Sequence, residues 1–148
     1  MLCYRITLQK YSDSLFASGK EGRWNFKGDR IIYTSESRSL ACLENLVHSS
    51  GETLLNLFRV MIIYIPDQLS IAHLDHVSLP ENWNQQARPK WCQERGNRWL
   101  EKAENPVLKV PSAIVNKEFN YLINSNHPEF KKVKIIDTEP FPFDQRLQ

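Results

Sequence analysis

The residue pattern predicts an α+β domain, with central strands in mixed or antiparallel order and few helices. Three observations predict it. Apolar residues recur at the two-residue period or in short continuous runs along much of the chain. The helical period appears only in two separated stretches. Strands and helices do not alternate in the regular order that a parallel βαβ sheet requires.

The elements follow in order. Leu2, Tyr4 and Ile6 alternate with Cys3, Arg5 and Thr7, so residues 2–7 read as a first strand. Residues 18–30 hold three of the five glycines and read as a loop. Arg30 to Thr34, rich in Ile and Tyr, is a second strand. The period then changes. Ser35 and Ser37 are candidate N-caps, and Ser39 to Ser49 reads as a helix ended by Gly51. At the helical period Leu40, Leu43, Glu44 and Val47 share one stripe about 100° wide, the width of a core-facing face. Leu57 to Ile65 is too continuously apolar for a half-exposed strand and is expected near the centre of the sheet. Pro66, Pro80 and Pro89 punctuate a less regular middle section. Trp91 to Ala103 reads as a second helix, weakened by Gly96. Val107 to Val110 and Ala113 to Val115 read as short strands flanking Pro111-Ser112. Lys132 to Thr138 is the last strand, and the tail from Pro140 is extended by its prolines.

No repeat or low-complexity linker interrupts the 148 residues, so a single domain over 1–148 is expected. The chain is 41% hydrophobic with a net charge of only +2, which excludes global disorder. Its 19 Lys and Arg are nearly matched by 17 Asp and Glu, so it lacks the cationic field of a direct nucleic-acid binder. Cys3, Cys42 and Cys92 are odd in number and widely spaced, unlike a disulfide framework or a zinc site, and fit a reducing cytoplasm. Met1 to Thr7 shows no basic segment leading into an apolar stretch, so no secretory leader is expected. The run Val60 to Ile65 stops at Pro66, too short to span a bilayer. A cytoplasmic protein with no membrane association is the expectation.

Glu44 is the sharpest candidate: a carboxylate on an otherwise apolar helix face is either paired or placed at a cleft for a purpose. The plain alternative is a rim position where it reaches solvent or Arg38. Arg23 lies in Gly22-Arg23-Trp24-Asn25, between Gly19 and Gly28. Glycines let backbone approach a ligand, and a guanidinium grips phosphate in bidentate fashion. The alternative is a surface arginine over a core tryptophan. Ser112 has no G-x-S-x-G context, so a turn hydroxyl bonding local backbone is the default. His73-x-x-His76 with Asp75 lacks the H-E-x-x-H pattern and a third ligand, so no metal site is expected. His48 follows Glu44 by four residues, where a local hydrogen bond suffices. Neither a G-x-G-x-x-G nor a G-x-x-x-x-G-K-[ST] motif is present.

An ordered series of short motifs then adds to these residues. It runs Tyr4-Arg5-Ile6, Ser18-Gly19, Gly22-Arg23-Trp24-Asn25, Ile32-Tyr33-Thr34-Ser35 and Ser39-Leu40-Ala41-Cys42-Leu43-Glu44. It continues through Leu79-Pro80-Glu81-Asn82-Trp83, Gly96-Asn97-Arg98-Trp99-Leu100, Val110-Pro111-Ser112-Ala113 and Asn120-Tyr121-Leu122-Ile123-Asn124. It closes with His127-Pro128-Glu129-Phe130 and Phe143-Asp144-Gln145-Arg146-Leu147. The series resembles the RES-domain family of bacterial toxins, named for an arginine, a glutamate and a serine, and it spans essentially the whole chain. Phe26 stands where a proline is common and Asn97 where an aspartate is common.

The resemblance implies a fold similar to ADP-ribosyltransferase toxins and the toxin half of a type II toxin–antitoxin pair. It implies that the protein consumes NAD as a substrate and holds no cofactor. Its partner would be an Xre-type antitoxin that covers the active site and carries the DNA contact, around a toxin homodimer within a larger complex. Residue by residue, Arg23, Glu44 and Ser112 match the name-giving positions, and Tyr33 matches a tyrosine beside the nicotinamide end of the pocket. Arg23, Glu44 and Tyr33 are then the expected catalytic set, with Arg23, Tyr33, Ser112 and Arg5 as substrate contacts. Breaking the nicotinamide–ribose bond builds oxocarbenium character that a fixed carboxylate stabilises. The first expectation is therefore degradation of NAD, the second transfer of ADP-ribose to a protein, and the third a non-catalytic module that binds antitoxin and DNA.

Overall fold

The computed structural model describes residues 1–48, 57–85 and 89–147. One seven-stranded sheet organises them. The strands are β1 (Leu2–Leu8), β2 (Ile31–Ser35), β3 (Phe58–Tyr64), β4 (Ile71–His73), β5 (Val107–Pro111), β6 (Phe119–Asn124) and β7 (Lys134–Pro140). Helix α1 (Arg38–His48) follows β2, and helix α2 (Lys90–Lys102) precedes β5. The spatial order is β4-β5-β6-β2-β1-β3-β7. All pairs are antiparallel except β4 with β5, so the sheet is mixed and the α+β class is as expected.

Because side chains alternate across a strand, the sheet builds two separate layers of core. Cys3, Ile32, Met61, Ile63, Tyr121 and Ile123 meet on one face, covered by Ala17, Leu69 and Val133 from the connections. On the other face Ile6, Phe58 and Val60 pack against Ala41 and Cys42 of α1. Ile31, Leu108, Val110 and Leu122 pack against Cys92 and Trp99 of α2. Both helices thus lie on the same face, side by side.

The junction between β1 and β2 is weakly closed. They pair only at Tyr4–Ser35, whereas β1 pairs with β3 along its whole length. A notch is left between β1 and β2, on the face that carries the helices.

Several expectations shift. Leu57 to Ile65 is realised as β3, with Val60 to Ile63 buried, one strand in from the β7 edge. Ala113 to Val115 is not a strand but part of the turn between β5 and β6. The strand missed by the sequence reading is Phe119–Asn124, which lies between β5 and β2. Short β4 was likewise hidden in the Pro-punctuated middle section. The last strand starts two residues later than expected, at Lys134. Of the two candidate caps, Ser37 is the one used: its Oγ accepts from the Leu40 N–H at 3.0 Å. The expected ends at Ser49 and Gly51 lie outside the described residues. Gly96 does more than weaken α2. A Cβ there would stand 1.7 Å from the Trp24 carbonyl oxygen, so helix and loop can touch only at a glycine.

The stripe Leu40–Leu43–Glu44–Val47 does not face the core as a unit. Leu40 is buried, but Leu43 is 37% and Val47 64% exposed, and the buried side runs through Leu40, Ala41 and Cys42. Polar contacts set the rotation. Asn45 donates its amide to the Ile6 carbonyl at 3.1 Å, and Glu44 is held by the sheet as described below. Turning those two side chains toward the strands carries Leu43 and Val47 outward.

Candidate functional site

A cavity of about 490 Å³ occupies the face between α1 and the 18–30 loop and reaches into the notch between β1 and β2. Tyr4, Ile6, Ile31, Tyr33, Ser35 and Asn120 line it from the strands. Arg5 and Thr34, on the opposite parity of β1 and β2, reach it through the notch. Glu44 and His48 enter from α1, and Lys20, Glu21, Gly22 and Arg23 from the loop.

Glu44 sits on the half-buried side of α1, with its side chain 23% exposed. Its Oε1 accepts from Ser112 Oγ at 3.1 Å and from Asn120 Nδ2 at 2.5 Å. Oε2 accepts no hydrogen bond among the described residues; His48 Nε2 is 3.8 Å away, on a ring that is 73% exposed. One oxygen is therefore anchored and the other is left at the cavity. Arg38, the partner considered from sequence, instead makes a two-pronged ion pair with Glu139 across the sheet. The mundane pairing of Glu44 with His48 exists, but only at the longer distance.

Ser112 follows β5 directly. Its N–H donates to the Glu118 carbonyl at 2.8 Å, and its Oγ accepts from the N–H groups of Ile114 and Val115, each at 3.1 Å. The hydroxyl thus has one proton on Glu44 and two acceptor bonds from the turn, which uses its whole capacity. Ser112 is 3% exposed and does not line the cavity. In place of the expected nucleotide contact, the serine stands behind the glutamate. The hydroxyl that bonds the turn also donates to Glu44.

The loop is clamped from α2. Gln93, buried on the helix, donates through Nε2 to Glu21 Oε1 at 2.9 Å and to the carbonyls of Gly22 and Asn25, each at 3.2 Å. Tyr33 Oη donates to Asn25 Oδ1 at 2.7 Å and accepts from the Trp24 N–H at 3.0 Å. Burial pushes its phenol well above the ordinary tyrosine range. A Cβ on Gly22 would stand 2.7 Å from Tyr33 Oη, so this turn also requires glycine. The Tyr33 hydroxyl is committed to the loop, and it is the ring that lines the cavity.

Arg23 is half-buried. Nη1 donates to the Trp83 carbonyl at 2.9 Å, Nη2 approaches the Asn84 carbonyl at 3.5 Å, and the guanidinium lies 5.5 Å from the Trp83 ring centre. The reading of an arginine over a core tryptophan is half right. Trp24 is buried beneath the loop, but the ring under the guanidinium is Trp83. A guanidinium carries five N–H donors, so donors remain for a ligand. Arg5 donates Nη1 to the Phe16 carbonyl at 3.1 Å, and desolvation lowers its pKa from the ordinary arginine value.

The structure brings Arg5, Arg23, Tyr33 and Glu44 to one cavity and sets Ser112 one bond behind it. Sequence reasoning missed Asn120 and Ser35 as site residues: one stood in an unrecognised strand and the other was read as a helix cap. The signal was a pair of polar residues within otherwise apolar strand runs. His73 is exposed, and His76 lies edge-on to the rings of Trp83 and Phe119. Among the described residues no helix is long and apolar enough to cross a membrane.

Comparison with known proteins agrees with the series of motifs. The family model of the RES domain matches residues 2–144. The toxin Res of Yersinia enterocolitica is 37% identical over 153 aligned residues, covering all of both chains. A Sphingobium protein named Prs ADP-ribosylating toxin is 35% identical over 142 residues, covering 92% of this chain and 88% of its own. Among solved structures, a chain of the MbcT–MbcA toxin–antitoxin complex of M. tuberculosis superposes with a TM-score of 0.77 at 18% identity. It covers 95% of this chain and 83% of its own, and shows the shared fold.

Proposed function

The chain belongs to the RES domain family, and on that premise we propose that it is a toxin that binds NAD in this cavity and breaks the nicotinamide–ribose bond. The single observation that carries the reading is the carboxylate of Glu44, anchored through one oxygen and presenting the other to a cavity that also holds two arginines and an aromatic ring. Arg23, with Arg5 lining the same cavity, neutralises the pyrophosphate. Tyr33 gives its ring to the nicotinamide. As the glycosidic bond breaks, its electron pair leaves with nicotinamide and positive charge develops at the ribose. A fixed, partly desolvated carboxylate stabilises that charge without reorganising. An acceptor oxygen then bonds to the same carbon and releases its proton. Ser112 holds Glu44 in place. NAD is consumed as a substrate, and no cofactor takes part.

The acceptor divides the readings. Water or phosphate would make the protein an NAD-depleting toxin. A protein acceptor would make it an ADP-ribosyltransferase, which the name of the Sphingobium relative favours. The partner in either case is a cognate Xre-type antitoxin that covers the cavity, in keeping with the solved toxin–antitoxin neighbour.

The test is nicotinamide release from NAD, followed by chromatography with Arg23→Ala and Glu44→Gln as controls. Loss in both variants, with NAD still bound by Glu44→Gln, is the expected result. Wild-type turnover by Glu44→Gln would overturn the assignment. Labelled NAD added to a lysate separates the acceptors: a labelled protein band means transfer, and soluble ADP-ribose or its phosphorylated form means depletion.

A further inference from the structure

We infer that Asn120 is a positioning residue for this chemistry, and that Ser35 fixes its orientation; the inference rests on the reading of Glu44 as the charge-stabilising carboxylate. β6 sits between β2 and β5, so Asn120 is paired with Ser35 on one side and with Val110 on the other. Ser112, just past the end of β5, and Asn120, on the neighbouring β6, therefore approach Glu44 together. Asn120 is 9% and Ser35 4% exposed, so their polar atoms must find partners within the protein. Ser35 Oγ donates to Asn120 Oδ1 at 2.7 Å, and Asn120 Nδ2 donates to Glu44 Oε1 at 2.5 Å.

The chemistry permits only one orientation of this chain. An ionised carboxylate accepts and cannot donate, so the amide must turn its NH2 toward Glu44. That leaves Oδ1 as an acceptor, and Ser35 supplies the proton. A flipped amide would set its carbonyl oxygen against the carboxylate. The Ser35 hydroxyl thus acts at a distance on which oxygen of Glu44 is held and which faces the cavity. Hydrogen bonds to a charged acceptor are the strong ones, and of the two side chains that donate to this oxygen Asn120 holds it at the shorter distance.

The experiment measures kcat and KM for NAD from acid to neutral pH in the wild type, Asn120→Ala, Asn120→Asp and Ser35→Ala. The nearly isosteric Asn120→Asp replaces the donor with a second carboxylate. Its kcat at neutral pH is expected to fall about 100-fold with KM little changed, because a displaced catalytic group costs that order of rate. Its activity should recover as pH falls, since the introduced carboxyl, once protonated, can donate the same bond. Ser35→Ala should lose about fivefold, the worth of one neutral hydrogen bond. A loss in Asn120→Asp that is uniform across pH, or one confined to KM, would overturn the inference and leave Asn120 a structural residue.

A second readout is independent of turnover. In the NMR spectrum one Asn120 side-chain amide proton should lie downfield and return toward its ordinary position in Glu44→Gln. An amide proton that ignores Glu44→Gln would also overturn the inference. Should the wild type release no nicotinamide while this proton responds, the NAD reading fails and the positioning of Glu44 stands.

Discussion

Replacing Gly96 by alanine separates local propensity from tertiary contact. On an isolated helix, alanine in place of an interior glycine gains about 1 kcal/mol. Here the added methyl carbon would stand 1.7 Å from the Trp24 oxygen, 2.8 Å from its carbonyl carbon and 3.4 Å from its Cα. The first distance is about half an ordinary nonbonded separation of roughly 3.5 Å. All three atoms are backbone, so no side chain can swing aside, and α2 must draw back from the loop. Overpacking of this kind costs typically 1–3 kcal/mol, occasionally more. Withdrawal also strains the three hydrogen bonds that Gln93 donates and, through Trp24, the bond to Tyr33. A contact this short with backbone puts the cost near the top of that range, about 3 kcal/mol, so after the propensity gain a net destabilisation of about 2 kcal/mol is expected. Urea denaturation would show it as a midpoint lower by roughly 1 M at an unchanged slope. Because Trp24 adjoins Arg23, the proposed binding of NAD should weaken together with stability. A Gly96→Ala protein as stable as the wild type, or more so, would refute the close approach of helix to loop and the clamped loop with it.

Two further outcomes are expected. Ser37→Ala removes the cap on α1 and should cost about 1 kcal/mol in denaturant unfolding, an unchanged midpoint refuting the cap. Burial pushes the thiols of Cys3 and Cys92 up to about 11 from an ordinary value near 9. The folded chain keeps both protons to higher pH than the unfolded chain, so the thiols' contribution to stability should be constant below about pH 9 and decline from there through pH 11. Each thiol accounts for up to about 2–3 kcal/mol of that decline. Pairing the wild type with Cys3→Ala and Cys92→Ala isolates the effect from lysine and tyrosine titration, and equal alkaline slopes in all three would refute it.

Much of this protein follows from local rules that hold wherever a segment ends up. The alternation in β1, the continuous apolar run in β3, the Ser37 cap ahead of α1 and the glycine-rich loop are each decided within a few residues. The ordered motifs that carry Arg23, Tyr33, Glu44 and Ser112 also lie in the linear chain, which is why the family resemblance was visible there. Other features depended on what packed against what. Phe119–Asn124 reads ambiguously alone, and only its two neighbours in the sheet make it a strand. Gly96 reads as a flaw in a helix until the Trp24 carbonyl is placed against it. Leu43 and Val47 match a core stripe by period, yet the polar grip on Glu44 and Asn45 turns them outward. Ser112 and Glu44 are 68 residues apart, and Asn120 and Glu44 are 76 apart. No local pattern encodes such separations. A hydrogen bond needs about 3 Å between its atoms, and only the sheet, by setting β2, β6 and β5 side by side next to the strands that carry α1, brings these groups that close.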